Sequence, residues 1–159
     1  MFEFLNNKKV HLYAPVNGRT ICLDDVPDKV FSSHMMGEGI AFEFNDNIVC
    51  SPCDGVISLI PSTLHAFGIY ANNGAEILVH IGLDTVYLNG KGFEKLATQG
   101  DKVKKGTPII KIDRKFMNEQ IVSLITPVVI TNSNNYDIAI HNNRSVKVGE
   151  SKILEVKKK

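Results

Sequence analysis

One residue in four of this chain is β-branched, and this restricts its fold more than any other feature. Val, Ile and Thr together make up 39 of the 159 residues. Such side chains are restricted at χ1 and pack well on a pleated, half-buried surface. No window shows the long i, i+3, i+4, i+7 apolar pattern of an amphipathic helix. The sequence therefore predicts an all-β protein.

Short apolar stretches recur along the chain and are separated by Gly, Pro and Asn, which is typical of a sandwich or barrel. The predicted strands are Val10–Tyr13, Arg19–Leu23, Ile40–Phe44, Ile48–Cys50, Val56–Ile60, Ala66–Tyr70, Glu76–Ile81, Pro108–Ile112, Val128–Thr131 and Lys152–Val156. A short helix is predicted around Phe93–Thr98, and a surface loop with Phe31 at an exposed apolar tip over Asp24–Ser33. We predict a compact antiparallel β sandwich or barrel with short helical turns.

Size and charge exclude several classes of protein. A mass of 17.6 kDa favours one domain, with residues 1–9 as a polar N-terminal tail and 10–159 as the domain. The net charge of +1 gives no indication of a nucleic-acid partner. No apolar run approaches the ~20 residues of a membrane helix, so no membrane insertion is expected. The N-terminus has no signal-peptide pattern, and its initial Met and short tail favour a free-standing cytoplasmic protein.

Two pairs of similar segments indicate a faint internal repeat. The sequence APVNG at 14–18 resembles SPCDG at 51–55, and VKKG at 103–106 resembles VKVG at 146–149. Asn-Gly and Asp-Gly are common turn dipeptides because Gly tolerates positive φ. Either a pseudo-symmetric β fold or chance recurrence of turn sequences explains the similarity.

The spacing Cys50-Ser-Pro-Cys53 is that of a redox or metal pair. A thioredoxin-like pair lies at a helix N-terminus, whereas Asp54-Gly55 and a β-rich run follow here. A zinc ribbon needs a second pair, and the one other cysteine is Cys22. These cysteines are interpreted as small buried residues of a sheet, and their small, odd number fits a reducing compartment.

His65 and His80 flank a turn between two β-rich runs, HAFGIYA and AEILVHIG. A four-residue loop places the two histidines directly opposite each other, and a two-residue loop places them diagonally on one face. A three-residue loop breaks this parity unless a bulge restores it. Most registers therefore bring two imidazoles together.

Two adjacent imidazoles do not both carry a proton readily, so at least one is expected to be neutral near pH 7. A neutral ring nitrogen is a nucleophile or a metal ligand. Thr63 lies on the same strand face as His65 and can supply a hydroxyl, while Gly82 gives access to His80. A structural cross-strand pair is the alternative interpretation.

The segment GAEILVHIGLDTV, Gly74–Val86, resembles the active-site signature of the glucose-type (type 1) enzyme IIA of the bacterial phosphoenolpyruvate-dependent sugar phosphotransferase system. Similar segments are DDVPDKVF at 24–31, GEGIAF at 37–42, HAFGI at 65–69 and TPVVITN at 126–132. The resemblance covers about residue 10 to the C-terminus, so 10–159 is similar to one enzyme IIA domain.

This resemblance implies a phosphotransferase that works through a phosphohistidine. His80 would accept a phosphoryl group on Nε2 from a histidine-containing phosphocarrier protein. It would then pass the group to a cysteine of a sugar-specific enzyme IIB, part of a IIB/IIC transporter. His65 would stabilise the phosphoryl group, with hydrogen-bond support from Thr63. Phosphoryl transfer depends on such positioning and electrostatic stabilisation.

The resemblance also implies a rim that binds these partners. Its positions in this chain are Asp28, Val30, Phe31, Met35, Met36, Leu78 and Asp84. Apolar side chains with a few carboxylates suit transient docking to a carrier with basic groups. Ordinary core packing is the alternative for Met35 and Met36. Lys29 stands where family members have an apolar docking residue.

Some members of the family bind zinc between the two histidines and a glutamate. Ile138 stands at the position aligned with that glutamate, so no cofactor is expected and zinc binding is not favoured. A zinc-dependent hydrolase of lysostaphin-like type, using His65 and His80, is the alternative function. It needs a third ligand and a general base. A lipoyl-type carrier is a third, and it needs a lysine that the Asn-Asn-Gly hairpin tip lacks.

Overall fold

The structure is a computed structural model that describes residues 9–142 and 144–159. The strands of this part of the chain are β1 (Lys9–Tyr13), β2 (Gly18–Cys22), β3 (Glu38–Phe44), β4 (Ile48–Cys50), β5 (Gly55–Leu59), β6 (Ala66–Ala71), β7 (Glu76–His80), β8 (Phe93–Lys95), β9 (Lys102–Val103), β10 (Pro108–Ile112), β11 (Thr126–Ile130), β12 (Tyr136–Ile140), β13 (Ser145–Val146) and β14 (Lys152–Lys158). The helices are α1 (Lys29–Ser32) and α2 (Arg114–Gln120), with 3₁₀ turns at Leu23–Asp25, Thr85–Leu88 and Ser133–Asn135. Of the predicted tail, residues 1–8 lie outside the described residues.

Three antiparallel sheets organise these strands. The large sheet has eight strands in the order β13-β2-β3-β11-β7-β6-β5-β9. The two small sheets have three strands each, in the orders β1-β14-β12 and β4-β10-β8. The prediction of an all-β antiparallel fold is confirmed.

The large sheet is apolar on both faces around its centre. Along β7, Ile77 and Val79 point into the main core, whereas Leu78 packs on the opposite face. On that opposite face lies a second, smaller cluster of buried side chains. Its members are Leu23, Val26, Phe31, Ala41, Leu83 and Val129, with Ile21, Met36, Leu78 and Ile125 partly buried against them. The residues between β2 and β3 thus form a cover over one face of the sheet.

The predicted surface loop over Asp24–Ser33 is wrong in two respects. The segment contains a 3₁₀ turn and the helix α1, which begins after Asp28, whose side chain accepts a hydrogen bond from the backbone N–H of Val30 at 3.0 Å. Phe31 is buried, not exposed at a tip. The four residues of α1 are too few to show helical periodicity, so the sequence pattern could not reveal it.

The helix predicted around Phe93–Thr98 is also wrong. Phe93–Lys95 is strand β8, in which Phe93 pairs with Ile112 and is buried. Pairing with β10 decides its conformation, since short segments follow tertiary contacts before propensity. Helix α2 lies about twenty residues later, capped by Asp113, whose carboxylate accepts a hydrogen bond from the N–H of Phe116 at 3.0 Å.

The two repeated turn sequences make matching contacts. The N–H of Gly149 donates to the carbonyl of Ala14 at 2.9 Å, and the N–H of Gly106 donates to the carbonyl of Ser51 at 2.8 Å. A Cβ on Gly149 would come within 3.3 Å of the Cα of Gly106, so the two turns lie against each other. These equivalent contacts favour a pseudo-symmetric arrangement over chance recurrence.

Candidate functional site

His80 lies at the end of β7, half-buried on the face of the sheet that carries the second cluster. Its Nδ1 lies 2.7 Å from the carbonyl oxygen of Gly82. A carbonyl only accepts hydrogen bonds, so Nδ1 carries the proton and donates it. Gly82 has φ +78°, which turns its carbonyl back toward the ring. In the neutral imidazole the lone pair therefore lies on Nε2.

His65 also lies beside His80, but the strand register that brings it there differs from the predicted registers. The hairpin loop has three residues, and the pairing places Ala66, not His65, opposite His80. In a regular strand His65 would then point to the other face. The chain instead bends just before β6, where Leu64 has φ +56°. This bend brings the two imidazoles together, with ring centroids 5.0 Å apart and planes at 81°.

Thr63 fixes the ring of His65, as its position in the sequence suggested. Its Oγ1 lies 2.7 Å from Nδ1 of His65. When the hydroxyl donates this bond, the proton of the neutral ring sits on Nε2, which is then a donor beside His80. In that tautomer the pair combines a nitrogen lone pair on His80 with an N–H group on His65.

Both histidines have pKa values below the ordinary value. Burial is the largest cause of the lowered pKa of His80; the hydrogen bond to Gly82 and the charges of Asp28 and Asp84 oppose it. Burial also lowers the pKa of His65, and the charge of His80 lowers it further. Both imidazoles are consequently neutral near pH 7, which leaves a nucleophilic nitrogen available.

Most of the predicted rim residues lie around this pair. Phe31 packs against His80, with ring centroids 5.0 Å apart, and is 3% exposed. Met36 and Leu78 are partly buried in the second cluster, so both also have a packing role. Val30 and Met35 are 45% and 80% exposed. The two carboxylates of the predicted rim are Asp28, the cap of α1, and Asp84, which is exposed and follows His80 closely.

Two other predicted features lie away from the histidines. Ile138 lies on β12 in a small sheet and packs against the main core. Cys50 and Cys53 are buried, and burial raises the pKa of their thiols to about 11 and about 12, which makes them inert. Among residues 9–142 and 144–159, no group of three or more His, Cys, Asp and Glu side chains could hold a metal ion.

Sequence reasoning missed two features of this region. One is the carbonyl of Gly82 as the partner of His80, because a backbone acceptor leaves no residue-type signal. The available hint was the glycine itself, two residues after the histidine, because glycine tolerates the positive φ observed there. The other is His34, which contacts the carboxylates of Asp24 and Glu38. His34 stood beside two methionines with no motif around it, and only the folded chain brings Asp24 to it.

The fold and the site define a small all-β protein that presents a neutral histidine pair on an apolar surface ringed by carboxylates. The family model of EIIA 1 of the phosphoenolpyruvate-dependent sugar phosphotransferase system matches residues 10–136. The chain belongs to this family. It is a phosphoryl-carrier component of a sugar phosphotransferase system, and hence a phosphotransferase with a phosphohistidine intermediate.

Individual relatives agree with this assignment. The chain is 42% identical over 151 residues to a glucose-specific EIIA component of Staphylococcus epidermidis, covering 94% of this chain and 91% of that protein. It is 44% identical over 149 residues to an N-acetylglucosamine-specific EIICBA component of Klebsiella pneumoniae, covering 93% of this chain and 23% of that protein. The solved glucose permease IIA of Mycoplasma capricolum superposes with a TM-score of 0.87 at 36% identity, covering 94% of this chain and 97% of that one.

Proposed function

We propose that His80 is the residue that carries the phosphoryl group. The observation that supports this most directly is the bond from Nδ1 of His80 to the carbonyl of Gly82, which leaves the lone pair on Nε2. In the transfer, the P–N bond of the donor phosphohistidine breaks while a bond forms from phosphorus to Nε2 of His80. The proton on Nδ1 stays hydrogen-bonded to Gly82, so the accepting ring needs no base.

His65 and Thr63 complete the site. The ring of His65 stands almost perpendicular to that of His80, and its Nδ1 is held by Thr63. Nε2 of His65 can then donate a hydrogen bond to a phosphoryl oxygen. An oriented donor of this kind stabilises the charge that develops on the oxygens in the transition state.

The donor is a histidine-containing phosphocarrier protein, and the acceptor is a cysteine of an enzyme IIB in a IIB/IIC transporter. The relative in which an EIIA-like part is joined to EIIC and EIIB in one chain supports the second partnership. The surface around Phe31, Val30 and Met35 would receive each partner in turn. Among the described residues, no helix has both the length and the hydrophobicity of a membrane span. A cytoplasmic location suits exchange with both partners.

We propose no resident cofactor. The two imidazoles fall short of the three protein ligands that are usual in a catalytic zinc site. The comparisons give no support to the hydrolase alternative.

The test is carrier-dependent phosphorylation. Incubation with enzyme I, the carrier protein and phosphoenolpyruvate should add one phosphoryl mass to the protein. The label should be lost in acid and kept in alkali, as a phosphoramidate requires. A label that survives acid, or that persists in His80→Ala, would contradict the assignment.

A further inference from the structure

His34 is held between two carboxylates. Its Nε2 lies 2.5 Å from Oδ1 of Asp24, and its Nδ1 lies 2.7 Å from Oε1 of Glu38. A carboxylate accepts hydrogen bonds, and a neutral imidazole has one N–H group to donate. Both bonds can form together only when the ring is an imidazolium. This arrangement of Asp24, His34 and Glu38 is called the His34 clamp below.

The His34 clamp closes the base of the segment that covers the phosphoryl-transfer site. Asp24 lies in the 3₁₀ turn before α1, and Glu38 is the first residue of β3. Between them the chain carries Phe31, whose ring packs against His80. The N–H of His34 also donates to the carbonyl of Phe31 at 2.9 Å. His34 is therefore connected, through a few bonds, to the ring that covers His80.

We propose that His34 is a positioning residue for phosphoryl transfer: as an imidazolium it joins Asp24 to Glu38, and so holds Phe31 and the exposed rim residues in place for the partner. This inference rests on the proposed function of His80 and adds a residue through which pH acts on the same site. When the ring loses its proton, one of the two bonds is lost and the segment is held less firmly.

The charges around His34 favour the protonated ring. The hydrogen bonds to Asp24 and then to Glu38 raise its pKa above the ordinary value, and partial burial opposes them. The other charged residues of the covering segment are Asp25, Asp28 and Lys29, all outside hydrogen-bond contact with the ring. The clamp is therefore complete below about pH 6.5 and is lost as the pH rises through the raised pKa of His34.

The decisive experiment compares the pH dependence of single-turnover phosphoryl transfer from the phosphorylated carrier to wild type, His34→Lys and His34→Gln. Lysine keeps a cation that can bind both carboxylates, whereas glutamine is neutral at every pH. Each rate is divided by that of His34→Gln at the same pH, which removes the pH dependence of the carrier and of His80. His141→Gln is the matched control and should follow wild type at every pH, because His141 is exposed and lies outside the site.

We expect His34→Gln to lower kcat/KM by about three- to tenfold near pH 6.5, mainly through KM, as the loss of a partly exposed charged hydrogen bond predicts. We expect wild type to approach the His34→Gln value at alkaline pH, while His34→Lys keeps the value that wild type has near pH 6.5. Identical alkaline profiles of wild type and His34→Lys would overturn the inference. So would a His34→Gln variant as active as wild type near pH 6.5.

A second measurement is independent of transfer and of variants at position 34. Nitrogen NMR of the histidine rings should show protons on both Nδ1 and Nε2 of His34 at pH 6, and the ring should titrate above the ordinary value of about 6.5. Asp24→Asn and Glu38→Gln should each move the titration of His34 to lower pH. A lone pair on either nitrogen at pH 6, or a titration at or below the ordinary value, would refute the clamp. If wild type accepts no phosphoryl group while the titration is as expected, the proposed function fails and the clamp stands.

Discussion

His65 and His80 differ, at the scale of single residues, in what holds each ring. His80 is fixed by a backbone carbonyl and is the more deeply covered ring, since Phe31 packs against it. His65 is fixed by a side-chain hydroxyl, that of Thr63. This difference supports the separate roles proposed for the two histidines, His80 as nucleophile and His65 as oriented donor.

Glutamine variants test this division of roles. His65→Gln keeps the nucleophile and places an amide donor near the same position, so acceptance from the carrier should survive at a reduced rate. Onward transfer to enzyme IIB should fall further, by about 10²–10³, because one oriented donor is lost. His80→Gln should abolish both steps, since an amide cannot take up the phosphoryl group. Quench-flow measurement of each step separately checks this; complete loss of acceptance in His65→Gln would show that the two rings act as one nucleophilic unit.

The lowered pKa of His80 predicts how acceptance responds to acid. The protonated ring has no lone pair on Nε2, so at saturating carrier the rate should be level at neutral pH and fall at a pH below the ordinary His value of about 6.5. Because the neutral ring is favoured in the folded protein, stability should also fall as the pH drops through this range. Single-turnover rates and the free energy of unfolding, measured between pH 5 and 8, check both statements. A rate that rises in acid would contradict them.

Gly82 and Gly100 both have positive φ, and comparing alanine variants of the two tests the role of Gly82 in holding His80. Gly82 has φ +78°, and a Cβ there would lie 2.6 Å from the carbonyl oxygen of Ser123 and 2.6 Å from a methyl of Thr85. Gly100 has φ +94° and open space around it. Gly100→Ala should lose about 1 kcal/mol of unfolding free energy from the positive φ alone. Gly82→Ala should lose about 1–3 kcal/mol more and slow acceptance, because the carbonyl that holds His80 moves. Equal losses in urea denaturation would contradict this account.

The site provides two imidazoles, and no group of three or more metal-ligating side chains occurs among the described residues, which predicts weak zinc binding. Purified without tags, the protein should contain zinc well below one equivalent, because two protein ligands hold the ion poorly. Elemental analysis checks this. Tight one-to-one zinc would contradict this prediction.

At the scale of elements, the strand bounds were easier to predict from the sequence than the register of the strands. Strands such as β4 and β10 have the predicted bounds, because buried β-branched runs between turn residues admit few other structures. The hairpin between β6 and β7 was predicted, but its register was not, since Asn72–Gly74 can form loops of more than one length. The bend at Leu64 that compensates has no signal in the sequence.

Helix α1 carries a prediction of its own. Phe31→Ala removes a large aromatic side chain buried in the second cluster, and it should cost about 3 kcal/mol of unfolding free energy. It should also admit water to His80 and so raise the pKa of that ring toward the ordinary value. The control is Val30→Ala on the same helix, 45% exposed, which should change neither quantity appreciably. Chemical denaturation and NMR titration of His80 check the pair; an unchanged His80 pKa in Phe31→Ala would show that Phe31 does not shield the ring.

Across the whole molecule, charge is distributed unevenly although the net charge is only +1. The cover of the site carries Asp24, Asp25 and Asp28 against Lys29 and the ring of His34, and Asp84 lies exposed beside His80. The composition could not reveal this, because it sums charges without placing them. An acidic face of this kind attracts a partner with basic groups and speeds encounter more than it strengthens binding.

The acidic face predicts salt-dependent docking of the carrier. Asp84→Asn should lower kcat/KM for acceptance by about two- to threefold at low salt, and the difference should vanish near ~0.5 M salt, where charges are screened. Asn tolerates the φ of +59° at this position, so the backbone should be retained. The charge of Asp84 raises the pKa of His80, so its removal lowers that pKa further and the ring stays neutral. The chemical step should therefore be unaffected at neutral pH.

The control is Asp137→Asn, which removes an exposed carboxylate on β12 and should leave the salt dependence of the rate unchanged. Equal slopes for Asp84→Asn and wild type in stopped-flow transfer would mean that this face does not steer the carrier.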